Sequence, residues 1–239
     1  MASSWSKLAG DYAIAALHGA KRQIQRRFPE VLLMGDAERP EVALSFDDGP
    51  HPRDTPALLA VLARHGATAT FSWLGERAEA RPDLVREAAA AGHQLMIHGY
   101  RHRSFLLERT DALASMLART QLFLATHSGR DPAAITGVRP PFGHLSGPLL
   151  RSLRAWGYQP VLGSIMPIHW LQPARLSVRQ VLAQTLGGDL IVLHESLGGP
   201  PVAELTDTIL AGLRERGLAL VSVDALRTPP AAPHPAQPL

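Results

Sequence analysis

From Glu41 onward the chain alternates short apolar, β-branched runs with amphipathic stretches of helical period. Strand candidates fall at 42–46, 67–72, 93–97, 135–138, 159–163, 189–194 and 218–223. Helical patterns lie between them at 55–65, 76–91, 105–127, 146–156, 175–186 and 202–216. Gly66, Gly92, Gly157 and Gly217 each stand just past a helical run, where a left-handed closing residue belongs. Alternation at this spacing is the signature of βα units, so the predicted class is α/β with parallel strands, either an open sheet or a barrel. In both, chemistry gathers at the C-terminal ends of the strands.

The length of 239 residues suits one large domain. A net charge of +3, from 24 basic and 21 acidic residues, is too mild to imply nucleic acid as a partner. Cysteine is absent, so a metal ion would have to be held by His, Asp or Glu. No apolar run is long enough to span a bilayer. Asp11 interrupts the N-terminus and the run Tyr12–Leu17 is short, so no secretory signal is read and a cytoplasmic location is expected.

Residues 5–28 read as a helix. Trp5, Leu8, Tyr12, Leu17, Ile24 and Phe28 recur at roughly helical spacing, Lys21, Arg22, Arg26 and Arg27 cluster near its end, and Pro29 stops it. Such a helix either packs on the domain or rests weakly on an anionic membrane surface. The expected division is an N-terminal extension over 1–30, a domain over 31–227, and a proline-rich disordered tail over 228–239. Nothing in the sequence speaks to oligomeric state.

Four strand ends carry reactive side chains. The first is Ser45-Phe46-Asp47-Asp48-Gly49-Pro50, in which an apolar strand runs into two adjacent carboxylates. Carboxylates that close stay ionised together only if a cation or a strong donor compensates one of them. The second is His98-Gly99-Tyr100-Arg101-His102, whose imidazoles share a face if the chain turns helical there. With the Asp pair it forms a His2Asp set, and three protein ligands plus water is how catalytic zinc is held. The third is Arg139-Pro140-Pro141-Phe142-Gly143, where the arginine can grip a carboxylate by a bidentate contact. The fourth is His194, closing Leu190-Ile191-Val192-Leu193, either a satisfied core residue or an acid/base near neutral pH. His65, His93 and His127 lie at helix ends or strand starts, away from these positions.

Together, and in this order, the four stretches resemble the NodB-homology polysaccharide deacetylases, carbohydrate esterase family four, over roughly residues 40–226. The resemblance implies a distorted (β/α)7 barrel and one divalent metal ion, usually zinc, with cobalt or nickel as alternatives. It implies hydrolysis of an N-acetyl group on an amino sugar. Asp48, His98 and His102 would bind the metal and Asp47 would be the general base, steadied by Arg139. His194 would protonate the departing amine, a backbone N–H near Phe142 would meet the oxyanion, and Leu193 and Trp170 would wall the acetyl pocket. Two departures stand out. Gly99 replaces the usual Ser or Thr, and Ser164-Ile-Met-Pro-Ile-His169-Trp170 lacks both carboxylates of the family's fourth motif. The second predicts a lowered pKa for His194. Two other readings are a C–N hydrolase acting on an imide, ureide or formamido group, and a sugar-binding homologue that has lost proficiency.

Overall fold

The computed structural model describes the backbone of residues 2–227 and the side chains of residues 14–227. Readings that rest on the side chains of Trp5, Leu8 and Tyr12, or on the tail 228–239, fall outside what is described.

Seven strands form one parallel sheet: β1 (Glu41–Asp47), β2 (Thr70–Trp73), β3 (Gln94–Ile97), β4 (Gly137–Val138), β5 (Gln159–Pro160), β6 (Leu190–His194) and β7 (Ala219–Val221). The order is β5-β4-β3-β2-β1-β6. Ala43 faces both Leu190 and Val221, and Ser45 faces both Val192 and Thr70, so β6 takes one edge of β1 while β7 and β2 share the other. Beyond β5 the chain reaches round to β6 through a bridge between Ile165 and Ile191. The sheet therefore curls into a distorted barrel, as predicted.

The crossover helices are α2 (Asp54–His65), α3 (Gly75–Ala80), α4 (Pro82–Ala90), α5 (Thr110–Ser128), α6 (Gly147–Ala155), α7 (Ala174–Gln184) and α8 (Val202–Glu215). A short α9 (Val223–Arg227) ends the described chain. The stretch predicted as one helix over 76–91 is two, because Pro82 lacks an N–H and holds Arg81 out of the helical region (φ −139°, ψ 61°). The run predicted over 105–127 likewise starts as a separate 3-10 turn at Phe105–Leu107. Gly66, Gly92, Gly157 and Gly217 all have positive φ, as their place after helices requires.

Strand alternation sorts the core. Val42, Leu44 and Phe46 of β1 pack outward with Phe71, Trp73, Leu58 and Leu62 beneath the helices. Ala43 faces the barrel interior with Leu190, Val192 and Met96. Ser45 and Asp47 continue that inward face, so the same alternation that builds the core aims a carboxylate up the barrel axis.

The N-terminal helix α1 (Ala2–Arg27) is bolted to the barrel. Buried Asp189, at the start of β6, accepts from His18 and Lys21 at 3.1 Å each, from Ser164 Oγ at 2.6 Å and from the Leu186 N–H at 2.9 Å. Among the described residues no helix is long and apolar enough to cross a membrane.

Candidate active site

Asp47 is the last residue of β1 and sits in register with His194 of β6. Asp48, one residue on, cannot share that direction in extended chain. It adopts φ 69°, a left-handed conformation that Asp tolerates better than most residues, and the turn brings its carboxylate to the same pocket. Gly49 follows because a Cβ there would overlap Trp73 Nε1 and Glu195 Oε1.

His98 ends β3. Its Nδ1 lies 2.8 Å from the Arg139 carbonyl, which only accepts, so Nδ1 carries the proton and Nε2 presents a lone pair. That Nε2 faces Asp48 Oδ1 at 3.4 Å, and His102 Nε2 faces the same oxygen at 3.5 Å. Asp48 Oδ1 is buried and has no hydrogen-bond donor. The three ligand atoms lie within 4.8 Å of one another. Acceptors converging this closely call for a cation between them, and this donor set fits a divalent metal. Burial holds the His102 imidazole below its ordinary pKa, which keeps it neutral and able to ligate.

The two imidazoles meet without the helical turn that would have put them on one face. Residues 100–103 form bends, and Gly99 before them has φ 93°. A Cβ on Gly99 would press on the Phe105 ring at 2.9 Å, so a glycine stands where the family has Ser or Thr. Phe142 (φ 62°) closes the far side, its ring edge-on to His102 at 4.5 Å between centroids.

Arg139 is almost wholly buried and donates through Nη1 to Asp47 Oδ1 at 2.5 Å and to Ser45 Oγ at 2.9 Å. The grip is end-on and not the bidentate fork predicted; Nε and Nη2 lack partners. On the opposite side, Trp170 stands edge-on to the His194 ring at 4.9 Å. His169 lies beside it and accepts the His194 backbone N–H on Nε2 at 3.1 Å. His194 Nδ1 is buried without a partner, in line with the missing fourth-motif carboxylates. Burial lowers the His194 pKa, with His98 and Arg139 adding to the effect and Asp47 and Asp48 opposing it.

These residues line one cleft of about 520 Å3: Asp47, Asp48, His98, His102, Arg139, Phe142, Trp170 and His194 all border it. Leu193 does not. It is fully buried in the core beneath the helices, since adjacent strand residues face opposite ways and His194 already faces the cleft. Val192 is the inward neighbour, and a Cβ on Gly163 of the cleft wall would collide with it. His65, His93 and His127 lie outside the cleft, as expected: His65 pairs with Asp207, His93 meets the Ala69 N–H, and His127 meets the Phe123 carbonyl.

Two supporting residues escaped the sequence reading. Glu195 is fully buried and accepts from Trp73 Nε1 at 2.8 Å and from the Thr55 hydroxyl. Arg77 of α3 donates to the Asp48 carbonyl at 2.5 Å and to Ser196 Oγ. A carboxylate straight after a strand-end histidine was the available signal for Glu195; an arginine early in a crossover helix gives none for Arg77.

A family model described as polysaccharide deacetylase matches residues 34–161, more than half of the chain. The chain belongs to this family. A chitooligosaccharide deacetylase of Sinorhizobium fredii is 34% identical over 185 residues, 77% of this chain and 83% of the relative. A peptidoglycan-N-acetylglucosamine deacetylase of Bacillus cereus is 29% identical over 195 residues, 80% of this chain and 70% of the relative. Among solved structures, a peptidoglycan N-acetylglucosamine deacetylase bound to a naphthyl-substituted N-hydroxybenzamide superposes with a TM-score of 0.78. It shares 28% identity over 83% of this chain and 92% of that one.

Proposed function

We propose that this member of the polysaccharide deacetylase family is a metal-dependent hydrolase that removes N-acetyl groups from an amino sugar in an oligosaccharide, polysaccharide or glycoconjugate. The observation that carries the reading is the convergence of Asp48 Oδ1, His98 Nε2 and His102 Nε2 beside Asp47 and His194, which stand outside that set, in one cleft. Those three would hold a divalent cation, zinc in our proposal with cobalt or nickel accepted by the same donors, which would supply Lewis acidity toward water and the amide carbonyl. Asp47, fixed by Arg139, takes the proton from the attacking water. His194 gives a proton to the amide nitrogen as the C–N bond breaks, yielding acetate and a free amine. The backbone at Phe142 and Gly143 and the ring of Trp170 border the place where the carbonyl and the acetyl methyl would lie. Arg22, Arg26 and Arg27, all exposed on α1, support a weak contact with an anionic surface.

The test is acetate release from chitooligosaccharides by the zinc-, cobalt- or nickel-supplemented protein, with Asp47→Asn as control. Release that Asp47→Asn abolishes supports the reading. No release with any of the three ions from chitooligosaccharides, peptidoglycan fragments or N-acetylglucosamine glycosides, by protein shown to bind metal, overturns it.

A further inference from the structure

Two cavities meet at Leu33 and Leu162, which line both. One is the catalytic cleft. The other, of about 280 Å3, runs between the end of α1 and the start of α6 and is walled by Ile24, Phe28, Leu145 and Leu150. Its floor is fixed: Gln25 Nε2 donates to the Val31 carbonyl at 3.1 Å, and Gln25 Oε1 accepts from the Leu33 N–H at 2.7 Å and the Met34 N–H at 3.1 Å. The large apolar side chains at its mouth are left in water, Ile24 at 50% and Phe28 at 45% exposure. Two cations flank it. The Arg27 guanidinium sits 5.5 Å over the Phe28 ring, and Arg151 Nη1 lies 3.5 Å from the point a Cβ would take on Gly147, a wall residue.

A carbohydrate polymer has little to bury in such a groove, since each hydroxyl placed against leucine and isoleucine loses its hydrogen bonds to water. An alkyl chain gains by entering, and a phosphate at its head would meet the two arginines. We infer that the substrate is an N-acetylated amino sugar joined through a phosphate to a long alkyl chain, with the chain seated in the groove between α1 and α6 and the phosphate met by Arg27 and Arg151. The inference rests on the deacetylase reading and names the substrate class of that site.

The experiment has a kinetic and a binding arm. In the first, the zinc-supplemented protein is given N-acetylglucosamine 1-(alkyl phosphates) from methyl to decyl. kcat/KM rises about three- to fourfold per added methylene until the groove is full, the worth of burying one CH2. The neutral decyl glycoside is about tenfold poorer than the decyl phosphate, and Arg151→Ala closes that gap. Ile24→Asp brings the decyl compound down toward the methyl one, whereas Ile24→Leu keeps the preference. In the second arm, binding of decyl phosphate is measured calorimetrically, and Ile24→Asp weakens it about tenfold or more.

Rates independent of chain length overturn the inference. So does a preference for N-decanoyl over N-acetyl sugars, which puts the chain on the wrong side of the amide, or a groove covered by a second copy of the chain and indifferent to decyl phosphate. Hydrolysis of chitooligosaccharides without decyl phosphate binding removes this inference and leaves the deacetylase reading. Tight decyl phosphate binding without hydrolysis of any substrate overturns the deacetylase reading and with it the substrate named here, and leaves the groove as a binding site for an alkyl phosphate alone.

Discussion

His169 accepts the backbone N–H of His194 at 3.1 Å, so the neighbour of the proposed proton donor is a neutral ring and not a carboxylate. Burial, followed by the charge of His194, pushes the His169 pKa down to about 4. His194 itself is held low by burial, His98 and Arg139, against the pull of Asp47 and Asp48. A general acid works only while protonated, so kcat falls as pH rises through its pKa, and a low pKa places that fall early. His169→Asp puts a negative charge beside the ring and favours its protonated form. The alkaline fall in kcat then moves up by about one pH unit. An unmoved limb in His169→Asp would show that another group supplies the proton.

Removing the ring separates proton donation from metal binding. His194 is not among the three converging donors, although it borders the same cleft. His194→Ala is expected to lower kcat about a hundredfold or more, the usual scale for a general acid, with zinc content unchanged. Full turnover in this variant would move the acid elsewhere; lost zinc would make His194 a ligand.

The strand ends were legible because each is written twice, once as an apolar run and once as the polar cluster that stops it. Asp47, Asp48, His98, Arg139 and His194 follow such runs, and all five border the cleft. Leu193 was misplaced against the same rule that places His194, because strand neighbours face opposite sides. What stayed hidden depends on φ and on distant packing. The turn at Asp48, the bend at Gly99 and the end-on hold of Arg139 leave no periodic trace. The break at Arg81 does leave a trace, since Pro82 bars the residue before it from the helical region.

Metal content tests the cluster directly. His98 is buried and oriented by the Arg139 carbonyl, whereas His102 is 38% exposed and held by Phe142. His98→Ala and His102→Ala should each weaken zinc binding by more than the roughly ten- to hundredfold loss seen when only a supporting residue is removed. Equilibrium dialysis checks this. Undiminished zinc in both variants would refute the ligand set.

The buried carboxyl beside His194 links the site to stability. Burial pushes Glu195 up to about 7 from its ordinary 4.5, against hydrogen bonds from Thr55 and Trp73 that favour the charged form. Below pH 4.5 both folded and unfolded chains hold this proton. As pH rises toward 7 the unfolded chain releases it and the folded chain keeps it, so the stability present at low pH is lost across that window. A rise from 4.5 to about 7 is worth at most about 3 kcal/mol. Glu195→Gln cannot release a proton in either state, so this part of the decline disappears. Urea unfolding of both proteins at pH 5 and pH 8 measures it: the wild type loses more stability between the two than the variant does. Equal losses would mean that Glu195 is already ionised in the fold, with Trp73 and Thr55 outweighing its burial.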